Sequence, residues 1–239
     1  MTPDVALVLA LAILVVANLL NNRYAPGWYL VTSATATVLL LLLYASTGLP
    51  WCLAGLAAAD LGRGAAWGLA LVVLVAVVYL VGALLPATRP VFQDRRVRGA
   101  GPAELAFQVL LRMPVGTVLL EEVAFRGVLF GLLRDRFGTG WAVAVSSALF
   151  GLWHVLPSAG LVRTNPVAGR VFDRRRLLVV PAAVLASALA GVVLCEVARR
   201  SGSLLAPIAL HWAVNALGYL TAYLVNRRWP APDAATTSG

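Results

Sequence analysis

The sequence predicts an all-α fold, a polytopic membrane helix bundle with about seven or eight transmembrane helices. Three observations predict it. The 239 residues are 61% hydrophobic and only 12% charged, against about 45–50% and about 25% in an ordinary globular domain. Mean hydropathy is +0.87. The apolar residues are also gathered into runs near the ~20 residues that a helix needs to cross a bilayer.

Seven such runs follow one another: 5–20, 28–48, 65–86, 104–133, 140–156, 177–198 and 204–225. The first is short. It is preceded by Asp4 and by no basic residue, and it lacks a small-residue cleavage site, so it reads as a span rather than a cleaved signal peptide. The stretch 50–64, PWCLAGLAAADLGRG, is apolar but interrupted by Asp60 and glycines, and reads as an interfacial segment. The fourth run is long enough to be bent or broken, with Pro114 as the natural break point, and a break there would make eight passes. The closing PAPDAATTSG is small and polar and is expected to be disordered.

The net charge of +9 comes from 19 arginines, since no lysine occurs. Such lysine-free usage points to a high-GC bacterial genome. A basic soluble protein would suggest nucleic acid. Here the arginines lie mostly between apolar runs, and no nucleic-acid-binding motif or Walker-type glycine loop is present, so no nucleic-acid partner is expected. Alternate loops across seven spans collect twelve arginines on one side (Arg23, the 89–98 group, the 163–176 group, Arg227 and Arg228) and five on the other. The positive-inside rule makes the richer side cytoplasmic and puts the C-terminus there. The expected location is the bacterial inner (cell) membrane, with the lipid bilayer as a permanent partner. Cys52 and Cys195 are single and distant and read as small hydrophobes.

Inside the spans a few groups break the pattern. An ionisable group at mid-bilayer costs at least about 2.5–3.5 kcal/mol, which makes it a functional hypothesis by default. Glu121, Glu122 and Arg126 sit in the fourth run. Glu122 and Arg126 are four apart and share a face, so they can pair. Glu121 points about 100° away from Glu122, which leaves one carboxylate structural and one free for chemistry. The only two histidines also lie in spans: His154 near the end of the fifth run and His211 in the seventh, with Asn215 one turn beyond it. Each would be costly against lipid, so these groups should converge on one hydrated cavity. A carboxylate and an imidazole can polarise a water. A second imidazole and a carboxamide can donate to a developing oxyanion. The same Glu121, His154 and His211 could instead hold zinc.

The quoted motifs EEVAFR (121–126), FGLWH (150–154) and HWAVN (211–215) resemble those of the CPBP family, which includes type II CAAX prenyl endopeptidases and bacterial Abi-type relatives linked to bacteriocin processing and self-immunity. Their order matches, as does one helix between the last two. The resemblance covers about 104–225 as the catalytic core. Residues 1–100 match only as variable N-terminal membrane helices, three spans plus the interfacial segment, and 226–239 is the disordered tail. The resemblance implies an intramembrane endopeptidase acting on a peptide or membrane-protein substrate. It implies that Glu121 and His154 activate the water, that His211 and Asn215 form the oxyanion site, and that Glu122 and Arg126 support them. No cofactor is expected on this reading, zinc being the alternative. Competing functions are a proton-coupled transporter, since buried Glu and His are also relay parts, and a non-catalytic scaffold or immunity protein.

Overall fold

In the computed structural model, which describes residues 1–97, 99–158 and 176–229, every regular element is a helix. We label the principal ones α1 (Pro3–Leu19), α2 (Tyr29–Ala45), α3 (Leu61–Leu84), α4 (102–137), α5 (Thr139–Trp153), α6 (Val179–Ser201) and α7 (Leu205–Arg228). Among the described residues five helical segments are long and apolar enough to cross a membrane: Pro3–Tyr24, Pro26–Ala45, Ala58–Leu84, Val179–Ser201 and Leu205–Arg228. With the charged α4 and the shorter α5 they correspond one for one to the seven runs read from the sequence. Their lipid-facing sides stay apolar; Leu69 and Leu80 on α3 are among many large hydrophobic residues left exposed by the bundle. This is a multi-pass membrane protein.

One expectation is corrected. The fourth run does not break at Pro114. α4 continues through it in π-type turns over Gln108–Val118, where the Leu119 N–H bonds to the Pro114 carbonyl five residues back. The wider turn accommodates the missing proline N–H without ending the helix. The 50–64 stretch read as interfacial is two short 3₁₀ turns, Trp51–Ala54 and Ala58–Asp60, followed directly by α3, with Gly62 and Gly64 inside that helix. The tail expected over 226–239 falls largely outside the described residues; its first three positions continue α7 to Arg228. The arginines at 163, 170, 174 and 175 also lie outside the described residues.

Without a hydrophobic force between helices in lipid, close packing depends on small residues. α3 meets α7 along Gly64 and Gly68, four residues apart. A Cβ on Gly68 would come within 2.9 Å of Ala209 Cβ, and one on Gly64 would collide with the Ser203 side chain. α5 meets α6 likewise: a Cβ on Gly151 would lie 2.7 Å from the Val184 carbonyl oxygen, and one on Gly191 would lie 3.0 Å from Ser147 Cα. Between α4 and α5, Gly138 takes φ +80°, a backbone open to glycine at no steric cost, which lets the chain reverse in a single residue.

Contacts at one end of the bundle gather the start of α1 and the ends of α2, α4 and α6. The N-terminal ammonium donates to the Ser46 carbonyl at 2.8 Å, Asp4 faces Arg136 at 3.4 Å, and Arg63 donates to the Ser201 carbonyl at 2.6 Å. α4 lies at the centre. Every residue from Leu120 to Leu133 is buried, which is why its charged motif is withdrawn from lipid altogether.

Candidate active site

The EEVAFR motif begins at Glu121, the last residue of a short α-helical turn, and runs on into the central π-type stretch of α4, Glu122–Leu129. Short π segments widen a helix and are frequent at functional sites. Here the stretch keeps Glu122 and Arg126 on one face, and Arg126 Nη1 donates to Glu122 Oε1 at 3.0 Å with both side chains fully buried. The guanidinium carbon lies 3.9 Å from the centre of the Phe150 ring on α5. That aromatic face adds a cation–π contact to the ion pair.

α7 brings His211 against this pair. Its Nδ1 lies 2.6 Å from Glu122 Oε1, and its Nε2 lies 3.9 Å from Glu121 Oε2. A carboxylate oxygen accepts, so Nδ1 carries the hydrogen and Glu122 sets the orientation of the ring. Glu121 is turned away from Arg126. Its Oε1 accepts the indole N–H of Trp153 at 3.0 Å, while its Oε2 is buried without a hydrogen-bond partner among the described residues. Glu122 Oε2 and Arg126 Nε and Nη2 are also buried and unpartnered among the described residues.

His154 follows the last residue of α5. That helix has 15 residues and is about 22 Å long at 1.5 Å per residue, short of the ~30 Å hydrocarbon core. A short α5 ends its histidine within the bundle. His154 Nδ1 sits 2.8 Å from the Phe150 carbonyl, which can only accept, so Nδ1 carries the hydrogen. The Phe150 ring stands edge-on to both imidazoles, with centroids 4.6 Å from His154 and 6.2 Å from His211.

The structure therefore joins Glu121, Glu122, Arg126 and His211 by direct polar contact or near approach and connects His154 to them through Phe150. Asn215 is half-buried one turn from His211 on α7 and makes no side-chain hydrogen bond among the described residues. Trp153, which holds Glu121, was not singled out from the sequence. The available signal was an indole inside an apolar helix, since a buried Trp N–H usually finds an acceptor.

A zinc ion on Glu121, His154 and His211 would need three ligand atoms about 2.0–2.2 Å from one point. Among the described residues no three His, Cys, Asp or Glu side chains come together in that way. The described residues do not form a three-ligand zinc site.

Residues 103–217 match the family model described as type II CAAX prenyl endopeptidase Rce1-like. This segment belongs to the CPBP family. The matched span contains all three motifs and the helices α4 to α7 that carry them, up to Leu217. The matched segment is thus similar to a CAAX-protease-like membrane endopeptidase in general type. No curated protein matches the chain, and no solved structure matches it.

Proposed function

We propose that the chain hydrolyses peptide bonds within the membrane by a water activated by glutamate and histidine, making it a glutamic rather than a metal-dependent endopeptidase. The observation that carries this reading is the division of labour between the adjacent carboxylates. Glu122 is spent on Arg126 and His211, whereas Glu121 keeps Oε2 unpartnered, 3.9 Å from His211 Nε2. That separation suits one bridging water. Glu121 takes a proton from the water, with Nε2 of His154 as the second acceptor. The hydroxide adds to the scissile carbonyl. His211, as an imidazolium fixed by Glu122, and the Asn215 amide donate to the oxyanion. The tetrahedral species collapses as Glu121 returns the proton to the leaving amine, giving one new carboxyl and one new amino terminus.

The substrate class is a peptide or membrane-protein segment presented from the bilayer. Supporting this, an apolar groove of about 430 Å³ runs between α3, α4 and α7, lined in part by Gly68, Pro114, Val118, Ile208 and Trp212. Val118 and Ile208 lie one helical turn from Glu121 and His211. For location we propose the bacterial inner membrane with the C-terminus cytoplasmic, supported by the arginine asymmetry of twelve to five.

The test is cleavage of membrane-tethered reporter peptides by purified protein in proteoliposomes, read by mass spectrometry. Matched new N- and C-termini should appear with the wild type and fall about 10²–10³-fold in rate with His211→Ala. Absence of any product across a diverse peptide set, or equal products from His211→Ala, would refute the reading.

A further inference from the structure

α5 ends at Trp153, so the carbonyl of that residue is among those a helix leaves without an internal partner. It is taken from an unexpected direction. Asn18 Nδ2 on α1 donates to it at 2.9 Å. The side chain of Trp153 meanwhile points into the bundle, only 8% exposed, with its ring edge-on to Phe125 at 5.8 Å. Its indole N–H ends on Oε1 of Glu121. Trp153 is thus held at both ends, by an asparagine from the N-terminal helix and by the carboxylate assigned as base.

A glutamate carboxylate has a broad last torsion, so nothing intrinsic decides which oxygen faces the reaction. A charge-assisted hydrogen bond from a rigid indole does decide it. With Oε1 occupied, Oε2 is the atom left 3.9 Å from His211 Nε2.

We propose that Trp153 is a positioning residue that fixes the Glu121 carboxylate through its indole N–H, and that Asn18 anchors Trp153 in turn. Asn18 lies outside the matched segment 103–217, so the N-terminal region contributes to the geometry of the core. The kinetic consequence rests on the reading of Glu121 as the base; the hydrogen bond itself does not.

Two measurements test this. Trp153→Phe keeps an aromatic ring and deletes the N–H. Its kcat on the reporter should fall about tenfold, the scale of one lost charge-assisted hydrogen bond, with KM unchanged, and Asn18→Ala should move kcat in the same direction by less. A purely structural role would instead lower the yield of folded protein and leave kcat per folded molecule intact. The second measurement needs no activity. The chain has seven tryptophans, and indole-¹⁵N labelling in micelles should show one N–H resonance that shifts in Glu121→Ala and stays in place in Asn215→Ala. The same resonance should vanish in Trp153→Phe. No indole shift in Glu121→Ala, or a Trp153→Phe enzyme with full kcat, overturns the proposal. An indole shift in protein that cleaves no reporter would uphold the Trp153–Glu121 bond and reject the protease reading instead.

Discussion

His211 gives its Nδ1 to Glu122, 2.6 Å away, and turns only its Nε2 toward Glu121. One imidazole therefore reads the two neighbouring carboxylates differently. Glu122 is shared by His211 and Arg126 and belongs to the scaffold; Glu121 stands on the other side of the same ring with an oxygen to spare.

Glu122→Ala should be the costliest single change at the site. It would strand a fully buried Arg126, and breaking a buried pair on one side typically costs about 3–5 kcal/mol. Unfolding in mixed micelles should show that loss, accompanied by loss of activity.

Arg126→Lys should behave as a disruptive change. A point charge replaces a planar group that both reaches Glu122 and lies over the Phe150 ring. Stability should fall by about 1–2 kcal/mol from the weakened aromatic contact alone, measured by the same unfolding assay. A variant as stable and active as the parent would remove Arg126 from its supporting role.

Gly151→Val should separate α5 from α6, because even a Cβ there would sit 2.7 Å from the Val184 carbonyl oxygen. Overpacking of this kind costs about 1–3 kcal/mol. Since His154 hangs from the end of α5, activity per folded molecule should fall as well.

The seven helical segments were legible because an apolar run of membrane length leaves few other folds open, and the pairing of Glu122 with Arg126 follows from helical spacing alone. The passage through Pro114 was not legible: whether a proline breaks a helix or is absorbed in a wider turn depends on its neighbours, here including Tyr29 against Gly116 and Tyr29 hydrogen-bonded to Thr117 at 2.9 Å. The choice between Glu121 and Glu122 as the partner of His211 depends on how α7 is rotated against α4. That packing involves Gly64 and Gly68 on a third helix, distant in sequence from any motif. Trp153 went unnoticed for a similar reason, since its acceptor lies 32 residues away on another helix.

Metal dependence offers an independent check. If Glu121 rather than a metal ion activates the water, cleavage should survive exhaustive chelation and purified protein should carry no stoichiometric zinc. Zinc whose removal and return switch activity off and on would replace the glutamate mechanism by a metal one, with ligands that bind only when deprotonated.

The most direct measurement pairs kcat with stability for Glu121→Gln. Glutamine keeps the shape and can still accept from Trp153, but it cannot take a proton from water. The prediction is a kcat lowered about 10²–10⁴-fold with unfolding stability within about 1 kcal/mol of the parent, because Glu122 rather than Glu121 pairs with Arg126. A Glu121→Gln enzyme that cleaves at the parental rate would contradict the account.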